Sequence, residues 1–273
     1  METTLNASRG IDFTLWLVFL ATLLAVAWFT LRTLAGGGNS TSVKAYHRLD
    51  PIVQALTVWV RASPATVVYV SCWVATTLLV QGTPKRLVDV FTQYNSTNID
   101  AMVSEPLRAL VVSALLVAQR GFGLGLYLLA FALIVARVEQ KLGTPRTLVV
   151  WLAAHFGGSV LTVLCEELLL RANWISDKVL VTADVGVSYV MVGSFGAYLL
   201  LVGPRLRRWY VLAVVVGIVG QLVLNPNVWG LGHVFATLLG LLSCWLLLRH
   251  HRAKPGLQWD TLKSVPPRPL PKR

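Results

Sequence analysis

The chain has 273 residues, of which 55% are hydrophobic and 13% are charged, and its formal net charge is +12. The charged residues cluster between long apolar stretches, which is typical of a polytopic membrane protein and excludes a soluble domain as its main body. The positive charge is explained by contact with anionic membrane lipids, so it gives no reason to expect a nucleic-acid partner.

Seven apolar segments have about the length that a helix needs to cross a bilayer. A further segment, Leu107–Gln119, is too short to cross, and we expect it to lie in the outer interface. The sequence therefore predicts an all-α polytopic membrane protein with one N-terminal transmembrane helix followed by a six-helix bundle. The seven segments are Phe13–Leu34, Ala65–Gln81, Gly121–Val138, Thr147–Glu166, Asp184–Gly203, Trp209–Leu224 and Trp229–Leu248.

The sequence predicts four parts along the chain. Residues 1–34 form the N-terminal transmembrane helix, 35–64 a linker and cytoplasmic loop, 65–249 the six-helix core, and 250–273 a basic, Pro-rich cytoplasmic tail. The linker prediction rests on the Gly- and Ser-rich run that starts at Gly36, which is typical of a flexible connection. An uncleaved first helix is favoured over a signal peptide because Glu2 and Asp12 flank it.

The distribution of basic residues predicts the orientation of the chain. Of the 24 Lys and Arg residues, 17 fall on the side of the loops near Arg61, Lys141 and Arg207 and of the C-terminal tail, and 7 fall on the other side. We therefore expect a multi-pass protein of the plasma membrane, with its N-terminus outside and its C-terminus in the cytoplasm.

Ionisable residues inside the predicted spans are few, and each is a candidate for function because burying a charge in a membrane is costly. They are His155, Asp184 and His233, with Glu166 and Glu167 at a helix end. Asp184 has no intramembrane aspartate partner, so a di-aspartate protease is excluded. His155 lacks the His-Glu-x-x-His spacing of a zinc protease. We expect no metal and no cofactor.

Ser188 and His233 each lie four residues inside the outer end of a separate predicted helix, which places both about 6 Å below that surface. A hydroxyl and an imidazole at one depth can act as nucleophile and general base. Each also has a structural alternative: a serine in a membrane helix usually bonds a backbone carbonyl or joins helices. Asp184 can equally cap its own helix, and His155 can be a helix-packing residue.

Small residues form stripes on the two helices that carry this pair. Gly186, Gly193 and Ala197 share one helical face, and Ala236 and Gly240 share a face with His233. Small faces let membrane helices approach closely. The stripes predict that the two helices pack tightly enough for a hydroxyl and an imidazole to meet.

These motifs resemble those of the rhomboid family of intramembrane serine proteases, as a divergent member of bacterial type. In that family a Gly-x-Ser-Gly motif opens the fourth core helix and a histidine lies in the sixth. This chain has Gly186-Val-Ser188-Tyr189 in the fourth of its last six helices and His233 in the sixth. The segment Val138–Gly143 also resembles the family's loop between the second and third core helices.

The resemblance implies an intramembrane serine endopeptidase in which Ser188 attacks a peptide bond of a transmembrane substrate near the outer face. His233 would take the proton of the hydroxyl. The chain departs from the family because Tyr189 replaces the glycine after the serine and the second core helix lacks the family's histidine and asparagine, which help to hold the oxyanion. Tyr189, Asp184, His155, Gly186 and Tyr127 are the candidates for a supporting or oxyanion role.

Two alternatives stay open. The departures favour a catalytically inactive rhomboid-like pseudoprotease that binds the transmembrane helices of client proteins. A small transporter belongs to a different class, and the scarcity of polar groups at the membrane midplane argues against it.

Overall fold

The computed structural model describes residues 2–80, 83–117, 122–224 and 227–250, and within these ranges the chain is helical and contains no strand. The predicted tail at 250–273 lies, except for its first residue, outside the described residues. The helices are α1 (Glu2–Gly36), α2 (Ser40–Ala62), α3 (Pro64–Leu79), α4 (Lys85–Tyr94), α5 (Ile99–Ser104), α6 (Pro106–Ser113), α7 (Phe122–Ala130), α8 (Ala136–Leu142), α9 (Thr144–Leu152), α10 (Gly158–Arg171), α11 (Val187–Leu201), α12 (Pro204–Leu224) and α13 (Val228–His250).

Two pairs of these helices run on without a break, because a π-helical turn joins α7 to α8 at Phe131–Val135 and another joins α9 to α10 at Ala153–Gly157. Among the residues that the structure describes, five helical stretches are long and apolar enough to cross a membrane, which confirms the prediction of an all-α polytopic membrane protein. They are Val18–Gly36, Gly123–Leu142, Thr144–Arg171, Pro204–Leu224 and Trp229–Arg249.

The N-terminal helix and α2 are joined by a turn where the sequence predicts a flexible linker. The Asn39 side chain caps α2 by accepting from the Ser42 amide at 3.0 Å, and the helix then continues to Ala62. Trp28 of α1 stacks on Tyr46 of α2, with ring centroids 5.3 Å apart. Segment 35–64 is therefore mainly helical, and a bend of 91° separates α2 from α3.

The fourth core helix, α11, is shorter than predicted. Its 15 residues rise only about 22 Å, and Asp184, Val185 and Gly186 before it are not helical. Non-helical backbone at membrane depth is stable only where protein covers it. Here the Thr97 amide donates to the Asp184 carbonyl and the Gly186 amide donates to the Ser113 carbonyl, both at 2.9 Å. The loop that carries α5 and α6 thus covers the start of α11.

Helices α11 and α13 pack in close contact through small residues, which confirms the approach predicted from the stripes. A Cβ added at Gly196 would lie 2.0 Å from the Thr237 carbonyl oxygen, and one added at Gly240 would lie 2.0 Å from the Gly193 carbonyl oxygen. Only glycine fits at these distances, so the backbones of the two helices touch directly. Gly196, which lay outside the predicted stripe, makes one of the closest contacts.

A buried carboxylate fastens the other end of the bundle. Glu139 on α8 accepts from the Ala65 amide at 2.9 Å and from the Thr66 amide at 2.8 Å, both in the first turn of α3. It also accepts from the hydroxyls of Thr66 and Thr144, each at 2.7 Å. The side chain is 1% exposed. One carboxylate therefore satisfies free amides of a helix N-terminus and links α3, α8 and α9.

Candidate functional site

Ser188 lies in the first turn of α11, and its hydroxyl donates to the Val185 carbonyl at 3.2 Å. The residue is buried, and the phenol of Tyr127 on α7 lies beside its side chain. The helix begins at Val187 with Gly186 as its N-cap, and no side chain caps it. The Ser188 amide has no acceptor among the described residues, as is usual for the first amides of a helix.

His233 lies in the first turns of α13, where its Nδ1 is 2.9 Å from the Gln221 Oε1 on α12. A carbonyl oxygen can only accept, so Nδ1 carries the proton of the neutral ring. The Nε2 atom is therefore the basic nitrogen. No hydrogen bond joins Ser188 to His233 among the described residues.

Tyr189 stands between the two histidines of the site. Its ring packs edge-on against His233 with centroids 5.9 Å apart, and against His155 at 6.0 Å. Its hydroxyl donates to Asp184 Oδ2 at 2.5 Å and lies 3.3 Å from the Thr162 hydroxyl. Gly232 makes room for this phenol, because a Cβ there would lie 1.9 Å from the Tyr189 oxygen.

Asp184 is 3% exposed and directs its carboxylate at Tyr189, with Thr97 Oγ1 at 3.5 Å as a weaker partner. It does not cap α11, which was the structural alternative for this residue. A buried carboxylate needs hydrogen bonds to be tolerated, and Tyr189 supplies the shortest one. Asp184 thus orients Tyr189 and is not in hydrogen-bond contact with His233.

His155 lies in the π-helical turn between α9 and α10 and is 2% exposed. Its Nε2 lies 2.8 Å from the Leu110 carbonyl oxygen and 3.4 Å from the Ser113 hydroxyl. Because a carbonyl accepts, Nε2 carries the proton, and the unprotonated Nδ1 has no partner. The ring rests on Gly186, where a Cβ would lie 2.1 Å from the His155 Cε1.

The structure thus gathers Asp184, Gly186, Tyr189 and His155 into one packed cluster, with Ser188 on its α7 side and His233 on its α12 side. Sequence reasoning missed Gln221 and Thr162, which contact these residues. The signal was present, since both are polar residues within apolar helices, but threonine and glutamine were not among the predicted site residues.

The fold and this cluster define an all-helical membrane protein with polar groups gathered near one end of the bundle. The family model described as rhomboid-like protein matches residues 58–254, more than half of the chain. The chain therefore belongs to the rhomboid-like family, and the resemblance found in the sequence is confirmed. No curated protein and no solved structure gives a significant match.

Proposed function

We propose that the protein is an intramembrane serine endopeptidase that cleaves transmembrane-helix substrates near the outer face of the plasma membrane. Ser188 is the nucleophile and His233 is the general base in this proposal. The observation that carries it is the hydrogen bond between His233 Nδ1 and Gln221 Oε1. It holds the imidazole in the tautomer whose Nε2 can take a proton, which is the state a general base needs.

Catalysis requires Ser188 to change its hydrogen bond. At rest the hydroxyl donates to the Val185 carbonyl, and rotation about its Cα–Cβ bond would release it toward His233. Nε2 of His233 would take the hydroxyl proton as Oγ attacks the scissile carbonyl, and would return that proton to the leaving amine. Water would then hydrolyse the acyl-enzyme with the same histidine as base.

The oxyanion of the tetrahedral intermediate needs hydrogen-bond donors. Tyr189 gives its only proton to Asp184, and His155 directs its only N–H to the Leu110 carbonyl, so neither is free to serve. The Ser188 amide at the N-terminus of α11 is free, and the Tyr127 phenol lies beside Ser188. We assign the oxyanion site to these two donors, since preorganised N–H and O–H groups are what such a site requires.

A fluorophosphonate probe tests the nucleophile directly in the full-length, detergent-solubilised protein. We expect an adduct on Ser188, located by mass spectrometry, that is lost in both Ser188→Ala and His233→Ala. Ser113→Ala is the matched control, because Ser113 is a buried serine whose hydroxyl does contact a histidine, His155. Labelling that survives in Ser188→Ala, or that is lost in Ser113→Ala, would remove Ser188 as the nucleophile.

A second function has its own supporting observation. Ser188 and His233 are not hydrogen-bonded at rest, and Tyr189 fills the space beside the serine that is open when glycine follows it. A pseudoprotease that binds transmembrane helices of client proteins needs no dyad contact. Absence of labelling in well-folded protein, under conditions in which an active rhomboid protease reacts, would favour this alternative.

A further inference from the structure

Glu166 on α10 carries a buried carboxyl group that the proposed chemistry does not use. The residue is 3% exposed, and among the described residues its carboxyl group takes part in no hydrogen bond and in none of the ion pairs. Glu167 beside it instead pairs with Arg171, with 2.7 Å between Oε1 and Nη2. An ionised carboxylate without a partner is costly in a protein interior. Glu166 therefore needs either a hydrogen-bond partner or a proton.

The surroundings of Glu166 follow from Thr162, which lies one turn earlier on the same face of α10. The Thr162 hydroxyl is 3.3 Å from the Tyr189 hydroxyl, which donates to Asp184 Oδ2 at 2.5 Å. Residues four apart on a helix are neighbours, so Glu166 lies beside the same phenol. Its carboxyl group interacts electrostatically with both Asp184 and Tyr189. Two carboxyl groups and one phenol thus share a buried space at the start of α11.

No lysine or arginine balances the charge of these two carboxyl groups among the described residues, since neither group takes part in an ion pair there. The two histidines that pack on the Tyr189 ring direct their N–H groups elsewhere. His155 donates to the Leu110 carbonyl, and His233 donates to Gln221. Two negative charges in one buried space repel each other, which favours a state in which one of the two carboxyl groups keeps a proton.

The hydrogen bonds indicate which of the two carboxyl groups is ionised. Asp184 Oδ2 accepts from the Tyr189 hydroxyl at 2.5 Å and lies 3.5 Å from Thr97 Oγ1. Hydrogen bonds donated to a carboxylate stabilise its charged form. Glu166 receives no such bond, because the Thr162 hydroxyl donates to a backbone carbonyl of its own helix at 2.8 Å. The arrangement therefore favours a charged Asp184 and a neutral Glu166.

We propose that Glu166 is a positioning residue whose neutral carboxyl group donates a hydrogen bond to the Asp184 carboxylate. This bond offsets the burial of the charge and holds Asp184 in place as the acceptor of the Tyr189 hydroxyl. The Tyr189 ring packs against His233 with centroids 5.9 Å apart. Glu166 thus acts on the general base through Asp184 and Tyr189. Its effect on Ser188 labelling rests on the proposed function, whereas its proton does not.

Infrared spectroscopy of the full-length protein in detergent measures this proton directly. The C=O stretch of a protonated carboxyl group lies apart from the bands of carboxylates and amides, and it shifts in D₂O. At neutral pH we expect this band in the difference spectrum between the wild type and Glu166→Gln. Glu167→Gln is the matched control, because Glu167 forms an ion pair with Arg171, and its difference spectrum should lack the band.

Two results of the infrared measurement would overturn the proposal. Absence of the band from the difference spectrum of Glu166→Gln would show that Glu166 carries no proton. A band that appears only after a chelator is added would show that a metal cation lies between the carboxyl groups in place of the proton.

The donated hydrogen bond is tested by two substitutions that differ in whether they keep a donor. Glu166→Gln places a neutral N–H donor at the same position, so a fluorophosphonate should label Ser188 at close to the wild-type rate. Glu166→Leu keeps a side chain of similar size without a donor. We expect labelling of this variant to be roughly ten-fold slower, because the lost bond is one to a charged acceptor.

A double substitution tests whether Glu166 acts through Asp184. Asp184→Asn keeps an acceptor for the Tyr189 hydroxyl and removes the charge that Glu166 serves. In this background Glu166→Leu should not slow the labelling of Ser188 any further. Equal slowing by Glu166→Gln and Glu166→Leu, or a ten-fold effect of Glu166→Leu that persists in Asp184→Asn, would contradict the positioning role.

This proposal and the protease proposal fail separately. Absence of labelling at Ser188 in the wild type would remove the protease, while the infrared band would still report the proton on Glu166. Labelling at Ser188 that is insensitive to Glu166→Leu would remove the positioning role and leave the dyad of Ser188 and His233 in place.

Discussion

The Tyr189 side chain makes two packing contacts and one short hydrogen bond, and these contacts determine which neighbouring residues are free to take part in chemistry. Its proton goes to Asp184, and its ring separates His155 from His233. The chemistry that remains therefore belongs to the residues around this ring, which are Ser188, Tyr127, and His233 with Gln221.

Gln221→Leu removes the acceptor that fixes the tautomer of His233. A typical hydrogen bond contributes about 1 kcal/mol, so we expect the rate of fluorophosphonate labelling at Ser188 to fall roughly five-fold. Gln221→Glu keeps an acceptor opposite Nδ1 and should label at close to the wild-type rate. Unchanged labelling of Gln221→Leu would show that Gln221 does not position the base.

Tyr127→Phe removes the hydroxyl beside Ser188 and keeps the ring. Loss of one oxyanion donor lowers turnover roughly 10²- to 10³-fold. We expect a fall of that order in cleavage of a transmembrane substrate, with binding of the substrate retained. Tyr210→Phe is the matched control, because the Tyr210 hydroxyl donates to the Phe195 carbonyl at 3.2 Å on another part of the bundle. Equal loss in both variants would contradict an oxyanion role.

Only part of this arrangement could be predicted from the sequence. Ser188 and His233 were identifiable because depth follows from position in an apolar segment. The partners of Asp184 were not, since Thr97 reaches it from a loop 87 residues away and no local pattern encodes that contact. The hydrogen bond between His233 and Gln221 likewise depends on how α12 packs against α13, which no local sequence pattern encodes.

At the scale of the helices, the contact between α11 and α13 depends on glycine. Gly196→Ala would place a methyl group 2.0 Å from the Thr237 carbonyl oxygen, and the helices would have to separate to admit it. Overpacking of this kind costs about 1–3 kcal/mol, so we expect a lower thermal unfolding midpoint in detergent. Gly217→Ala on α12 meets no atom within 4 Å and should leave the midpoint unchanged or slightly higher.

Glu139→Ala would leave the first amides of α3 without their acceptor. Buried groups deprived of a charged partner cost about 3 kcal/mol, so we expect a marked fall in the unfolding midpoint and a smaller fall for Glu139→Gln, which keeps one acceptor. The control is Glu167→Ala, which removes a surface ion pair with Arg171 worth about 0–1 kcal/mol. Similar unfolding midpoints for the Glu139 and Glu167 variants would contradict the role of Glu139 in linking α3, α8 and α9.

The helices themselves were largely predictable because apolar length determines which segments can cross a membrane. Two local features were not. The run after Gly36 suggested a flexible linker, yet Asn39 caps a helix that starts at once. The segment at Asp184 suggested a full span, yet three residues stay non-helical because Thr97 and Ser113 satisfy their backbone. Both outcomes depend on hydrogen bonds that hydrophobicity does not report.

At the scale of the whole molecule, the family match leaves the N-terminal part of the chain outside it. The match begins at residue 58, near the end of α2, so α1 and most of α2 lie outside it. Trp28 and Tyr46 hold these two helices to each other, whereas Glu139 holds α3 to α8 and α9. We therefore expect the N-terminal helix to be an addition to the rhomboid-like core, joined to it through the bend between α2 and α3.

The orientation of the molecule decides whether the Ser188 cluster faces the exterior. The excess of basic residues predicts that Gly203, between α11 and α12, is cytoplasmic, and that Asp177, between α10 and α11, is outside. Both residues are exposed. In a background in which Cys72, Cys165 and Cys244 are replaced by Ala, a membrane-impermeant maleimide applied to intact cells should label Asp177→Cys and spare Gly203→Cys. Both should react after lysis.

The reverse pattern of labelling would invert the molecule and place Ser188 near the cytoplasmic face. Ser188 lies at the N-terminus of α11, which follows the Asp177 segment in the chain, and α11 rises only about 22 Å. The serine therefore lies near the membrane surface that Asp177 faces. Labelling of Asp177→Cys in intact cells would therefore place the cluster close to the outer surface, where water for hydrolysis is within reach. Substrates would then be cut at the outer end of their transmembrane helices. Residues of low helix propensity at that end should favour cleavage, because the substrate helix must unwind before its scissile carbonyl can be attacked.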